Sequence, residues 1–170
     1  MKLKTIAALA ALSLGAVAAQ ATTANLGTLS PTISSSGGVA TSFGGVVNDN
    51  FTFSLSVNSI VQSNVTTFLG NLNPAFYGIY TAGADSIVGN ADDQLVVGHG
   101  FTSVSTSHFD TVTAGSYYFK VFGLSNSALS AYSISATATA APVPEPETYA
   151  LLGAGLGIVG FVASRRRRDY

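Results

Sequence analysis

Apolar and polar residues alternate along several short stretches between residues 22 and 142, and this period of two restricts them to half-buried β-strands. In FTFSLSV, which starts at Phe51, every second residue is apolar and the residues between are serine or threonine. SYYFKVFG, from Ser116, and AYSISATA, from Ala131, alternate in the same way. None of this region has the stripe of apolar residues that an amphipathic helix requires. The pattern predicts a domain built from strands.

Four further strands are predicted over residues 60–69, 76–80, 94–97 and 101–107, with glycine-containing turns between them. Seven or eight short strands at this spacing predict an all-β fold, an antiparallel β-sandwich of jelly-roll type. The stretch TATAAP, from Thr137, is interpreted as the linker that leaves the domain. The predicted domain therefore covers residues 22–141.

Charge is scarce in this domain and its sign excludes one class of partner. Between residues 22 and 142 the chain has a single base, Lys120, against five aspartates, which gives a formal net charge of −4. Nucleic-acid binding requires clustered lysine and arginine to neutralise phosphates, so we expect no nucleic-acid partner. The chain also has no cysteine, so disulfides and thiolate metal sites are excluded.

The N-terminal 21 residues have the three parts of a secretory signal peptide. Lys2 and Lys4 form a basic start, an apolar run follows, and Ala19-Gln20-Ala21 is a small-x-small cleavage site. The alternative, a buried alanine-rich helix, fits poorly because the run is apolar on all sides. The pattern predicts export through the general secretion machinery and cleavage by signal peptidase after Ala21.

The C-terminal segment, residues 142–170, combines three features in a fixed order. Val143, Pro144, Glu145 and Pro146 are extended, because the prolines fix φ and lack amide hydrogens. An apolar run follows and predicts a short transmembrane helix over residues 149–163, whose four glycines suit a temporary stop in the inner membrane better than a permanent anchor. A stop-transfer cluster then holds the C-terminus in the cytoplasm; it consists of Arg165, Arg166, Arg167 and Arg168.

This arrangement of Pro-Glu-Pro, glycine-bearing span and arginine run resembles the PEP-CTERM sorting signal. The resemblance implies that exosortase, an integral membrane enzyme of Gram-negative bacteria that make exopolysaccharide, recognises and processes the segment. It also implies release to the cell surface or the extracellular matrix. A plain tail anchor with a proline linker is the alternative.

Two resemblances concern the domain itself. VNDNFTF, residues 47–53, is similar to the motif that names the FxDxF family of PEP-CTERM proteins, although Val47 replaces the first aromatic. Asp49 is expected to cap a turn that enters the following strand. Residues 76–93, 113–124 and 130–136 are similar to bacterial pre-peptidase C-terminal domains, which implies a secreted β-sandwich with an acidic turn.

Two groups of side chains are candidate sites. Calcium binds six to eight oxygens from such loops, and an acidic turn offers several, although the same residues also stabilise turns by bonding their own backbone; the calcium candidates are Asp85, Asn90, Asp92 and Asp93. His99, His108 and Asp110 are candidates for a metal or catalytic group, with surface polar residues as the alternative. His108 and Asp110 share a face if their segment is extended, whereas His99 is expected in a loop.

The predicted function is that of an exported, non-enzymatic surface or matrix protein, which the family resemblance associates with exopolysaccharide in biofilm or floc formation. We expect no cofactor apart from the candidate calcium ion. A carbohydrate- or calcium-binding adhesive module is the alternative. A secreted hydrolase is less favoured, because G-x-S-x-G is absent and the only glutamates, Glu145 and Glu147, lie in the C-terminal segment.

Overall fold

The computed structural model describes residues 22–142 and 146–166. These residues belong to two compact units, divided between Ala140 and Ala141. The predicted signal peptide, with Ala19 and Ala21, lies outside the described residues. Five residues predicted in the sorting segment also lie outside them, namely Val143, Pro144, Glu145, Arg167 and Arg168.

The first unit consists of two sheets, which confirms the expected all-β fold and its β-sandwich architecture. Sheet A has the strand order β1-β3-β8-β5-β6, and sheet B has the order β2-β9-β4-β7. The strands are β1 (Thr23–Thr28), β2 (Ser34–Ala40), β3 (Val46–Leu55), β4 (Ser59–Leu69), β5 (Leu72–Thr81), β6 (Gln94–Gly100), β7 (Ser107–Val112), β8 (Gly115–Ser125) and β9 (Ser130–Ala140).

One strand pair departs from the predicted antiparallel arrangement. β1 pairs with β3 in parallel, from Thr23 opposite Asn50 to Thr28 opposite Ser54. The other pairs in both sheets of the described domain are antiparallel. β1 was not predicted, because apolar and polar residues do not alternate regularly in TANLGT. Its position depends on pairing with β3, about 27 residues later in the chain.

The core lies between the sheets and is formed by the residues that the alternation placed inward. Phe51, Phe53 and Leu55 of β3 are buried, as are Tyr132 and its inward neighbours on β9. Phe53 stacks on Phe119 of β8 with ring centroids 4.6 Å apart, and Phe51 meets Tyr132 edge-on at 6.3 Å. Each such ring contributes about 1.5–3 kcal/mol through burial alone, so the aromatic pairs account for much of the cohesion between the sheets.

Three boundaries differ from the prediction. Residues 101–106 form a loop rather than a strand, and the strand nearby is β7, which begins only at Ser107. TATAAP is not a linker, because β9 continues through Thr137 to Ala140 and pairs with β4. Val57 is half exposed because β3 ends at Leu55.

The second unit contains one described helix, α1 (Pro146–Arg166). The expectation that Pro146 is extended is wrong, because this residue begins the helix, where a proline lacks no hydrogen bond that the first turn could make. Within residues 22–142 and 146–166, no helix combines the length and the apolarity needed to cross a membrane. Residues 149–163 lie within this helix, and their role as a transmembrane helix stays a prediction.

Candidate functional site

The acidic loop, residues 83–93, connects β5 to β6 and is organised around Asp93. The Asp93 carboxylate accepts hydrogen bonds from the backbone N–H groups of Gly83 at 3.0 Å, Gly89 at 2.6 Å and Asn90 at 3.0 Å. It also accepts one from the hydroxyl of Tyr118, on β8, at 2.5 Å. Asp93 therefore fixes the path of the loop and attaches it to the outer face of sheet A.

The other acidic residues of the loop also accept hydrogen bonds from the loop. Asp85 accepts from the backbone N–H of Ile87 and from the side-chain amide of Asn90, and Asp92 accepts from the N–H of Ala84. In the described part of the chain, no group of three or more His, Cys, Asp or Glu side chains is placed to hold a metal ion. These are the contacts of the turn alternative, and calcium binding stays a prediction.

The Asp93–Tyr118 bond shifts the pKa of both groups. Burial by itself raises the pKa of Asp93, but the hydrogen bonds from Tyr118, Gly83, Gly89 and Asn90 outweigh it and hold that pKa below its usual range. Burial, and after it the hydrogen bond to Asp93 and the negative charge of that carboxylate, raise the pKa of Tyr118. At neutral pH the pair consists of a carboxylate and a neutral phenol.

The structure brings together His99, His108 and Asp110 at the seam between the two sheets. His99 is on β6, at one edge of sheet A, and not in a loop as expected. His108 and Asp110 share the inward face of β7, at the edge of sheet B, as the extended-strand reasoning predicted. The imidazole rings stack with centroids 3.9 Å apart, and His99 Nε2 lies 2.9 Å from Asp110 Oδ2.

This histidine seam has the character of a packing contact. Tyr77 packs against both imidazoles, with centroids 5.5 Å from His99 and 6.1 Å from His108. No serine or threonine hydroxyl in residues 22–142 hydrogen-bonds to either ring, and a metal or catalytic role for the three residues stays a prediction. The stacked rings close the space between β6 and β7.

Asp49 was wrongly assigned as a turn cap. It lies in the middle of β3, opposite Val121, and its side chain is only 4% exposed. Its carboxylate points into the core and accepts a hydrogen bond of 2.6 Å from the hydroxyl of Tyr132, on β9 of the other sheet. The backbone N–H of Thr22 donates to the second oxygen at 2.8 Å. Asp49 therefore links the two sheets through a buried charge.

A group of aromatic side chains lies on the outer face of sheet A, away from the core. Phe76 of β5 is 46% exposed and stacks on Phe122 of β8 with ring centroids 5.0 Å apart. Tyr80 stacks on Tyr118 at 5.4 Å, and the ammonium of Lys120 lies 5.9 Å from the Tyr80 ring centroid. We call Phe76, Tyr80, Lys120 and Phe122 the aromatic face. None of these four residues belongs to the two groups of candidate site residues found in the sequence.

The sequence and the structure were compared with known proteins. No curated protein matches the sequence. Three solved structures of similar fold are the pre-peptidase C-terminal domain of a collagenase from Bacillus anthracis (14% identity, 69% of this chain and 97% of that chain, TM-score 0.47), the PliG lysozyme inhibitor of Aeromonas hydrophila (8%, 71% and 100%, 0.42) and the surface-associated copper-binding protein CorA of Methylomicrobium album BG8 (13%, 70% and 100%, 0.42). At these scores we draw nothing about function from them.

The C-terminal segment gives the identification. A family model described as the PEP-CTERM protein-sorting motif matches residues 142–168, which include the Pro-Glu-Pro element and all four arginines. The motif implies export and exosortase-dependent sorting to the cell surface or the extracellular space. The match does not extend to residues 47–53, so membership of the FxDxF family is not confirmed. The chain therefore carries a PEP-CTERM protein-sorting motif at residues 142–168.

Proposed function

We propose that this protein is a non-enzymatic component of the cell surface or extracellular matrix that associates with exopolysaccharide, in biofilm or floc formation. The observation that carries the proposal is the sorting motif at residues 142–168. A domain poor in charge and rich in serine, threonine and asparagine supports it, because hydroxyls and amides form hydrogen bonds with neutral polymers without needing counterions.

The proposal gives a role to each part of the chain. Signal peptidase removes residues 1–21 after Ala21, and the domain of residues 22–141 is exported. Exosortase recognises the Val143–Pro146 element of the segment 142–170, after Arg165–Arg168 stop the transfer of the chain. The domain is a sandwich of jelly-roll type, which the strand orders β2-β9-β4-β7 and β3-β8-β5-β6 support, since from β2 to β9 consecutive strands alternate between the two sheets except for β5 and β6, which are neighbours in sheet A.

Deletion of the exosortase gene of the source cell tests the sorting role. The protein is expected to appear in the medium of the parent strain and to stay with the cells, at a higher mass, in the deletion strain. In the parent strain, the combined variant Pro144→Ala/Glu145→Gln/Pro146→Ala should be retained in the same way. Asp169→Asn, which lies just outside the matched residues, is the control and should be released normally. Unchanged release and mass in the deletion strain would refute the proposal.

A second candidate, a carbohydrate- or calcium-binding adhesive module, is favoured in its carbohydrate form by the aromatic face. The calcium form is checked by calorimetry with Ca²⁺ on the unaltered protein and on Asp92→Ala/Asp93→Ala. Heat that disappears in the variant would support a site, and the absence of heat with the unaltered protein would discard it. Asp110→Ala tests the other candidate metal group, and heat that disappears in this variant instead would place the ion beside His99 and His108.

A further inference from the structure

The aromatic face occupies one continuous part of sheet A. Phe76 of β5 lies directly opposite Phe122 of β8, and Phe122 lies opposite Asn48 of β3. The next outward-facing row along the strands contains Lys120, flanked by Gly78 and Asn50. Rings, a cation and amides are therefore adjacent on one side of the sheet, although they come from three separate strands.

The only lysine or arginine between residues 22 and 142 is at this position. Lys120 belongs to a domain with a formal net charge of −4, and its ammonium lies over the Tyr80 ring. Within residues 22–142 and 146–166 the one ion pair joins His99 to Asp110, so Lys120 has no carboxylate partner there. The Lys120 side chain lies beside an aromatic ring, and its ammonium has no carboxylate partner. Such a group is suited to a ligand that carries a negative charge.

Two side-chain amides beside the rings also lack a hydrogen-bond donor. The Oδ1 atoms of Asn48 and Asn50 are buried and have no hydrogen-bond partner in the described residues, and the Asn50 side chain is only 7% exposed. A buried acceptor without a partner costs about 1–3 kcal/mol, so such atoms usually have a donor from water or from a ligand. Sugar hydroxyls are donors of this kind.

The size of the aromatic face argues against a protein partner. A stable protein–protein contact buries about 800 Å² on each side. Phe76 is about half exposed, and Tyr80 and Phe122 are less exposed than that. Since a whole aromatic side chain buries about 150–250 Å², these three rings offer well under half of the area required. They offer enough for one or two sugar rings.

We infer that the aromatic face binds an acidic polysaccharide, one whose sugar units carry carboxylates. The C–H faces of the sugar rings pack on Phe76 and Phe122, the carboxylate binds Lys120, and hydroxyl groups donate to Asn48 and Asn50. The inference rests on the proposed function, and it names the site and the class of glycan through which the matrix would be bound.

Affinity electrophoresis of the full chain in gels containing alginate, a soluble polymer of uronic acids, tests the inference. Dextran gels supply a neutral polymer for comparison. We expect alginate to retard the protein and Phe76→Ala and Phe122→Ala each to weaken binding about tenfold, which corresponds to about 1.4 kcal/mol. Lys120→Gln, which keeps most of the stem and removes the charge, should weaken binding to alginate and abolish its dependence on salt. Phe109→Ala, on β7 of the other sheet, removes a ring that is more exposed than Phe76 (66% against 46%); it is the control and should bind normally.

Each other outcome contradicts the inference in a recognisable way. If dextran and alginate retard the protein equally, and Lys120→Gln does not change this, the ligand is not an acidic glycan. If alginate retards Phe76→Ala, Phe122→Ala and Phe109→Ala equally, the glycan does not bind at the aromatic face. Concentration-dependent dimerisation of the unaltered protein that is lost in Phe76→Ala would replace the glycan with a second copy of the chain. Melting temperatures within about 3 °C of the unaltered protein confirm that the variants are folded. Exosortase-dependent release measured in the same strains shows separately whether the proposed function holds.

Discussion

The buried bond between Asp49 and Tyr132 makes a sharp prediction about stability, because it joins the two sheets through the core. Both side chains are nearly inaccessible, at 4% and 1% exposure, and the two oxygens are 2.6 Å apart, the length of a hydrogen bond to an ionised acceptor. Tyr132→Phe removes the donor and keeps the ring. The Asp49 carboxylate then retains only the backbone N–H of Thr22 as a donor.

The expected cost follows from what remains buried. Hydrogen bonds to charged groups contribute about 1.5–3 kcal/mol, and a buried carboxylate that loses a donor bears the desolvation penalty besides. Because no carbon is lost from the core, we expect Tyr132→Phe to lower the free energy of unfolding by about 2–3 kcal/mol. Asp49→Leu/Tyr132→Phe replaces both partners with apolar groups and should recover at least about 1 kcal/mol of that loss.

Urea unfolding followed by far-ultraviolet circular dichroism measures these differences. Tyr117→Phe is the matched control, since the Tyr117 hydroxyl bonds to the exposed Thr113 at 2.8 Å, and its loss should cost no more than about 0.5 kcal/mol. If Tyr132→Phe costs no more than Tyr117→Phe, the carboxylate does not depend on this donor. If the double variant is less stable than Tyr132→Phe, the bond adds net stability and the reasoning about a buried charge is wrong.

Three further predictions concern pH and close packing. Burial is the largest cause of the raised pKa values of Tyr77, Tyr118 and Tyr132. The stability that these neutral phenols contribute should therefore be complete below pH 10.0, the usual tyrosine pKa, and decline above it. Above that pH, the urea midpoint of Tyr132→Phe should fall less steeply than that of the unaltered protein, and equal slopes would contradict this. The lowered pKa of Asp93 means that its carboxylate stabilises the fold above the usual aspartate pKa of 3.8, and that this stability is lost as the pH falls through the pKa in the folded state. Asp93→Asn should have a lower melting temperature at pH 7 and lose less stability on acidification than the unaltered protein. An unchanged dependence of stability on acid pH would contradict this role of Asp93. Gly38→Ala would place a Cβ against Asp49 Oδ2 and the Tyr132 ring and should cost about 2 kcal/mol, whereas Gly100→Ala, whose Cβ would meet only Ala75 O at 3.9 Å, should cost less than half of that; similar melting temperatures would show that β2 can move away.

The sequence was most informative where alternation reports burial on one face. FTFSL became the second half of β3 and AYSISATA the central part of β9, and their inward residues contribute to the core. β1 and β2 were missed because TANLGT and SSSGGVA carry few apolar residues. Their places depend on partners elsewhere in the chain, and local patterns do not report such pairing.

Asp49 shows why an isolated polar residue is difficult to interpret. Aspartate before an alternating run usually caps a turn, and the sequence gives no sign of a hydroxyl 83 residues away. The position of Asp49, which shares the inward face with Val47 and Phe51, contained a usable signal. A charge in phase with a buried stripe needs a buried partner.

The candidate sites also differ in how much of their geometry local sequence patterns could predict. His108 and Asp110 could be placed on one face from their spacing, but their contact with His99 depends on which edge strands meet across the sandwich. The contact between Phe76 and Phe122 could not be predicted, because the two residues belong to different strands and only strand pairing brings them together. The sorting motif was found without a structure, because all of its parts are contiguous in the sequence.

The intact mass of native molecules recovered from outside the source cell tests the central claim most directly. The account predicts a chain that starts after Ala21 and has lost the C-terminal part of residues 142–170, including Arg165–Arg168. Molecules outside the cell that still carry those arginines would contradict it.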